Sequence, residues 1–81
     1  MQSSSMTDII YDYFHSRILF GYFLPGDQLP SVSYTCRQFQ VSALIVRTAF
    51  ARLREEGMIQ TTERKGSTVT YRPGKEQERQ Y

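Results

Sequence analysis

Hydrophobic positions recur at helical spacing along residues 43–56 of this 81-residue chain. The face that these positions define consists of Val46, Ala49, Phe50 and Leu53. The opposite face has one positive charge and no acidic residue near its start: Leu44, Arg47, Thr48 and Ala51. Ser42 and Gly57 flank the segment as a good N-cap and a good C′ residue. The pattern predicts an amphipathic helix, with the Ser42 hydroxyl accepting a hydrogen bond from a first-turn amide.

Two further segments, near residues 6–20 and 32–39, also have helical patterns. The first is expected to start at Ser5, with Asp8 as its capping partner, and the second to start at Ser31. Residues 40–41 then form a tight turn into the helix at 43–56. Two capped helices joined by such a turn are typical of a helix-turn-helix motif, whose second helix enters the major groove of DNA.

Residues 58–62 and 67–72 are rich in Thr, Val, Ile and Tyr, and a basic tip that contains glycine separates them. This pattern predicts a β-hairpin. Residues 28–30 are expected to form a short extended segment, which in winged helices commonly adds a third strand beside the hairpin. The predicted fold is mainly α with a small β-hairpin: a winged helix-turn-helix of three helices and a two- or three-stranded antiparallel wing. Its expected core consists of Phe14, Ile18, Leu29, Phe39, Val41, Val46, Phe50, Leu53, Ile59 and Val69.

The net charge of +2 is small, but its distribution along the chain is uneven. Residues 1–30 contain one arginine against three aspartates, a net charge of −2. Residues 31–72 contain seven basic residues against three glutamates, a net charge of +4. The positive charge is thus concentrated in the part of the chain with the predicted helix at 43–56 and the hairpin, where attraction to DNA phosphates would require it. Arginines on a solvated surface are the alternative explanation.

The cysteine, histidine and other potentially catalytic or metal-binding side chains exclude several other functions. Cys36 is the only cysteine, so an internal disulfide is excluded, and with the single His15 it cannot form a metal site. We expect Cys36 to be a small buried thiol and His15 to be a solvated side chain. The chain has no Ser/His/Asp set, no phosphate loop and no plausible carboxylate pair, so neither an enzyme nor a cofactor is expected. Without an export signal or membrane span, a cytoplasmic location is expected.

Several short motifs resemble the N-terminal DNA-binding domain of GntR-type bacterial transcription regulators. They are residues 24–31 (LPGDQLPS), Val41-Ser42, Val46-Arg47, Glu56-Gly57 and residues 66–69 (GSTV). The resemblance implies a DNA-binding winged helix over residues 1–72, with residues 73–81 as a polar linker or the start of a further domain. It also implies that the full-length regulator contains an effector-sensing domain and binds a palindromic operator in double-stranded DNA as a dimer.

The resemblance further implies that the helix at 43–56 lies in the major groove, with the wing tip at 63–66 on the backbone or minor groove. The residues expected to contact DNA are Ser31, Ser33, Ser42, Ala43, Leu44, Arg47, Arg64, Lys65 and Gly66. Ser33 and Ala43 stand where the family commonly has arginines. Each arginine that reads a guanine is worth roughly 1–3 kcal/mol of discrimination. The departures therefore predict a less guanine-dependent operator or weak binding, and a degenerate winged helix that binds another protein is the alternative.

The connection after the first helix is unusually apolar. Phe20, Tyr22 and Leu24 are expected to be partly exposed at positions where the family tends to be polar. An exposed apolar patch indicates an interface, with an effector domain or a second subunit. Packing of these side chains into the small core is the alternative.

Overall fold

The computed structural model describes residues 5–63 and 66–71. Its elements are α1 (Met6–Leu19), α2 (Val32–Phe39), α3 (Ala43–Glu55), β1 (Ile59–Thr62) and β2 (Gly66–Val69). The predicted helices are confirmed, and α1 and α3 each end one residue earlier than expected. The strands are shorter than the segments the sequence suggested. The predicted linker at 73–81 and the wing residues Arg64 and Lys65 lie outside the described residues.

Serines begin all three helices, but only two of them cap with their side chains. Ser5 Oγ accepts a hydrogen bond from the Asp8 amide at 3.2 Å, and Ser31 Oγ accepts one from the Tyr34 amide at 3.0 Å. Ser42 adopts the same extended backbone conformation, yet its side chain makes no capping hydrogen bond. Ser42 is therefore the N-cap residue of α3, as predicted, but the predicted hydrogen bond to its hydroxyl is absent. Because Ser42 is exposed, water can form hydrogen bonds with its hydroxyl and with the first-turn amides of α3.

Two residues in the left-handed region set the ends of α2 and α3. Gln40 (φ 59°) ends α2, and its backbone N–H donates to the Cys36 carbonyl. Gly57 follows α3 with a φ of 78°, where glycine avoids the steric cost that a Cβ would bring. The tight turn at Gln40 allows α3 to begin three residues later, which gives the predicted helix-turn-helix geometry.

The wing is an antiparallel hairpin in which Ile59 pairs with Val69 and Thr61 pairs with Ser67. The predicted third strand is present as a single bridge between Gln28 and Thr68. Flanking backbone hydrogen bonds of 2.8 Å run from the Leu29 amide to the Ser67 carbonyl and from the Val69 amide to the Asp27 carbonyl. The segment before α2 is thereby attached to the edge of the wing.

The core lies between α1, α3 and the base of the wing. It consists of Ile10, Tyr11, Phe14, Ile18, Leu29, Val46, Ala49, Phe50, Leu53, Met58, Ile59 and Val69. The Phe14 ring packs edge-on against the Phe50 ring, with centroids 5.4 Å apart. Thr35 is also fully buried, and its hydroxyl donates to the Ser31 carbonyl at 2.8 Å.

Three side chains predicted to be buried are only half-buried: Phe39, Val41 and Cys36. All three belong to α2 or to the turn that follows it. The Phe39 ring packs edge-on against Tyr13 at a centroid distance of 5.1 Å. Because α2 is only two turns long and lies at the rim of the core, its apolar side chains keep one side open to solvent.

Side chains of α1 and α3 form a polar and aromatic cluster beside the core. Arg52 Nη1 lies 2.7 Å from Asp8 Oδ1, and the Arg52 guanidinium lies 4.0 Å from the centroid of the Tyr11 ring. Tyr11 Oη donates to Glu56, and the His15 ring stacks on Tyr11 with its Nε2 3.7 Å from Glu56 Oε1. His15 is therefore half-buried and has neighbours, contrary to the expectation of a solvated side chain.

The cluster changes the acidity of two of its members. The hydrogen bond from Arg52 lowers the pKa of the Asp8 carboxyl below its ordinary value. Burial, with a smaller contribution from the hydrogen bond to Glu56, raises the pKa of Tyr11 from 10.0 to about 12. These contacts link α1 to the end of α3 and join residues that are far apart in sequence, while the buried apolar side chains hold the two helices together.

Candidate nucleic-acid interface

The outward face of α3 is open to solvent at its N-terminal half. Leu44 is 71% exposed, and Arg47 and Thr48 are also exposed. The Thr48 hydroxyl donates to the Leu44 carbonyl at 2.8 Å, so its hydrogen is already used within the helix. The face therefore presents one cation and one large apolar side chain, and the first turn of α3 contains no acidic residue.

The three arginines of α3 have different environments. Arg52 is held by Asp8 and Tyr11 on the side that packs against α1. Arg54 Nη1 donates to Thr61 Oγ1 of the wing at 3.3 Å. Arg47 is exposed, and it makes no hydrogen bond or ion pair with any residue in the described part of the chain. Its guanidinium is available to an external anion.

The remaining predicted contact residues of the helix-turn-helix lie at the two helix starts. Ser31 and Ser33 are exposed at the beginning of α2, where the Ser31 hydroxyl is engaged with the Tyr34 amide. Ser42 is exposed at the beginning of α3, and Ala43 beside it is half-buried. The uncapped start of α3 leaves the first-turn amides of that helix accessible.

A cleft separates α3 from the wing, and we call it the α3–wing cleft. It has a volume of about 270 Å³. Its lining residues are Val32, Arg47, Phe50, Arg54, Thr61 and Ser67. None of them is acidic. The cleft brings the predicted contact residue Arg47 together with the first residue of α2 and with the wing.

Sequence reasoning missed Arg54, Thr61 and Ser67 as possible contact residues. The spacing of seven residues between Arg47 and Arg54 was a usable signal, because it places both side chains on the same side of α3. The pairing of Thr61 with Ser67 across the hairpin, with their hydroxyl oxygens 3.2 Å apart, depends on the register of the strands. That register was not available from the residue pattern.

The described part of the wing tip ends at Glu63 and resumes at Gly66. Gly66 is exposed and has a φ of 71°, a left-handed conformation that favours glycine. A Cβ at this position would lie 3.7 Å from Gln28 Nε2, which is ordinary contact distance. Glycine is therefore favoured at position 66 by the left-handed backbone conformation, and not because a Cβ would collide with a neighbouring atom.

The apolar connection between α1 and α2 is exposed, as expected. Phe20 and Tyr22 are each 76% exposed, and Leu24 is 55% exposed. Backbone hydrogen bonds order the segment: the Tyr22 amide donates to the Arg17 carbonyl at 2.8 Å, and the Leu24 amide donates to Asp27 Oδ2 at 2.8 Å. An ordered segment thus holds these three apolar side chains toward solvent.

Two other kinds of site are absent from residues 5–63 and 66–71. These residues contain no helix that is long and apolar enough to cross a membrane. They also contain no group of three or more His, Cys, Asp or Glu side chains that could hold a metal ion.

Three helices, an antiparallel wing and the solvent-exposed outer face of α3 define the chain as a winged helix-turn-helix domain. The family model for bacterial regulatory proteins of the gntR family matches residues 6–69. The chain therefore belongs to the GntR family and carries its winged-helix DNA-binding domain. No curated protein matches the sequence significantly.

Several solved structures share this fold. A GntR family transcriptional regulator from Listeria monocytogenes is 28% identical with a TM-score of 0.78, and the match covers 86% of this chain and 61% of that chain. YtrA from Sulfolobus acidocaldarius, a GntR-family transcription factor, is 26% identical with a TM-score of 0.78, covering 96% and 82%. The DNA-binding domain of AraR in complex with operator ORR3 is 25% identical with a TM-score of 0.76, covering 86% and 88%. The chain thus spans about three-fifths of the Listeria regulator.

Proposed function

We propose that this chain is the sequence-specific DNA-binding domain of a GntR-type transcription regulator, with α3 in the major groove of double-stranded DNA. The observation that carries the proposal is the difference between two arginines of α3. Arg52 is held by Asp8 and Tyr11, whereas Arg47 on the outward face is exposed and has no partner among the described residues. The AraR domain, which has the same fold, is bound to its operator.

The start of α3 and the wing tip supply further contacts in this proposal. The free amides of residues 42–44 bind a DNA phosphate, because N–H groups and the helix dipole both favour an anion at a helix N-terminus. The lack of a capping bond from the Ser42 side chain supports this role. Arg64, Lys65 and Gly66 contact the backbone or the adjacent minor groove, and these wing contacts rest on the family resemblance.

The specificity of binding should be low for the family. Ser33 and Ala43 stand at positions where the family commonly uses arginine, so Arg47 is the one family arginine left on this face. Leu44, which is 71% exposed, offers an apolar contact to a thymine methyl group. We therefore expect a less guanine-dependent operator and a small ratio of specific to non-specific affinity.

Binding as a dimer to a palindromic operator follows from the symmetry of two neighbouring half-sites. Because the chain spans about three-fifths of the Listeria regulator, we expect the main dimer contacts and the effector-sensing domain to lie outside this winged helix. We expect the regulator to be cytoplasmic. The 81-residue chain should then be a monomer or a weak dimer in dilute solution. A tight dimer in sedimentation experiments at nanomolar concentration would contradict this and point to Phe20, Tyr22 and Leu24.

A binding selection on random duplex DNA at two salt concentrations tests the DNA-binding proposal. Arg47→Ala should weaken binding to the selected duplex more than to random duplex if Arg47 reads a base, and equally if it holds only a phosphate. The Arg64→Ala/Lys65→Ala double variant should weaken both alike and reduce the salt slope by about 0.9 for each lost phosphate contact. Arg52→Ala is the control, since it removes the same charge from the side of α3 that packs against α1.

The second candidate function is a protein-interaction module. The exposed Phe20, Tyr22 and Leu24 favour it, as do the small residues Ser33 and Ala43 at the positions where arginine is usual. This candidate predicts that the selection enriches no palindrome and that the Arg47 and wing variants bind DNA like the parent chain. That combined result would replace the DNA-binding proposal.

A further inference from the structure

Arg54 is positioned over the wing by a short series of hydrogen bonds. Its Nη1 donates to Thr61 Oγ1 at 3.3 Å, and Thr61 Oγ1 lies 3.2 Å from Ser67 Oγ on the neighbouring strand. A guanidinium has five N–H donors, and no other hydrogen bond joins the Arg54 side chain to the described residues. Most of its donors are therefore unused while the group itself is held in place.

The α3–wing cleft that Arg54 lines is suited to an anion. Arg47 lies on the same cleft, and none of its six lining residues is acidic. Val32 and the nearly buried Phe50 supply its apolar part. An apolar wall lowers the local dielectric constant and so strengthens the attraction between a guanidinium and a negative charge. A volume of about 270 Å³ has room for a phosphate group with some of its water.

The position of the cleft between two DNA-contacting elements identifies the anion. In the proposed function α3 occupies the major groove and the wing tip reaches the backbone or the neighbouring minor groove. One sugar–phosphate strand separates adjacent major and minor grooves of a duplex, so that strand must pass over the space between α3 and the wing. We infer that the α3–wing cleft binds a backbone phosphate of this strand through Arg54 and the hydroxyls of Thr61 and Ser67. This inference rests on the proposed function.

Substitution of Arg54 tests the inference in the 81-residue chain, with the selected duplex and a random duplex as probes in fluorescence anisotropy. Arg54→Gln should weaken binding to both duplexes alike, since a phosphate contact carries no sequence information. The loss of one phosphate contact should reduce the salt slope by about 0.9, which amounts to about fivefold weaker binding at 0.15 M salt and about fifteenfold at 0.05 M. Arg54→Lys should restore the slope because it keeps the positive charge.

Substitution of the two hydroxyls gives a second readout that keeps every charge. Thr61→Val with Ser67→Ala should weaken binding by roughly two- to tenfold through the lost hydrogen bonds, while the salt slope stays close to that of the parent chain. Arg52→Gln is the matched control for Arg54→Gln, because it removes the same charge two residues away on the same helix. It should leave the salt slope unchanged. Far-UV circular dichroism on heating verifies that each variant is folded.

The outcomes separate this inference from the proposed function. If Arg47→Ala weakens binding but Arg54→Gln binds like the parent chain, or like Arg52→Gln, the cleft does not hold a phosphate and the DNA-binding proposal stands. If the parent chain itself binds no duplex, the proposed function fails, and the phosphate site fails with it. An unchanged affinity in the Thr61→Val/Ser67→Ala variant would remove the two hydroxyls from the site.

Discussion

Phe50→Ala should be among the most damaging single substitutions in this domain. Phe50 is 3% exposed, and its ring packs edge-on against Phe14 at an angle of 82°. Truncation of a buried phenylalanine to alanine costs about 3–5 kcal/mol, and an aromatic pair contributes about 0.5–1.5 kcal/mol to such totals. Because Phe50 also lines the α3–wing cleft, water can enter part of the space that the ring leaves. We therefore expect a loss near the lower end of that range, about 3 kcal/mol.

A loss of about 3 kcal/mol is a large fraction of the roughly 4–12 kcal/mol that stabilises a domain of this size. The corresponding decrease in Tm is about 12 °C or more. Urea unfolding followed by circular dichroism at 222 nm measures the difference in free energy directly. Leu44→Ala is the matched control on the same helix: Leu44 is 71% exposed, so its truncation should change stability by no more than about 0.5 kcal/mol. A cost below about 1 kcal/mol for Phe50→Ala would refute the packing described for the core.

Three further predictions concern the helix end and the cluster between α1 and α3. Gly57→Ala should cost about 1 kcal/mol in urea unfolding, through the left-handed backbone alone, because no atom lies within 4 Å of the added Cβ. Arg52 lowers the pKa of Asp8, so this pair stabilises the fold above pH 3.8. The difference in unfolding free energy between the parent chain and Asp8→Asn should therefore disappear as the pH falls below that value. The unfolded chain releases the Tyr11 proton near pH 10 and the folded chain near pH 12, so stability should fall between these values in the parent chain and should fall less in Tyr11→Phe. Equal alkaline profiles for the two proteins would contradict the raised pKa.

Signals within a few residues of each other were enough to predict the helices and their order. Ser5 and Ser31 begin α1 and α2 because a short hydroxyl side chain reaches the amide three residues on, a contact that needs no tertiary structure. Helix α3 ends just before Gly57, because glycine adopts a φ of 78° without the steric cost that a Cβ would bring. The helical spacing of Val46, Phe50 and Leu53 predicted the buried face of α3, and this signal too lies within a few residues. The family motifs then supplied the expected role of Arg47.

Tertiary structure alone decided which arginine of α3 is free and which is engaged. Arg52 pairs with Asp8, which is 44 residues away in the chain. Arg54 donates a hydrogen bond to Thr61, and the strand register places Ser67 opposite Thr61. The half-burial of Phe39 likewise depends on how little of α2 the rest of the chain covers. Such outcomes depend on distances between elements that are far apart in sequence, and no local pattern of residues encodes those distances.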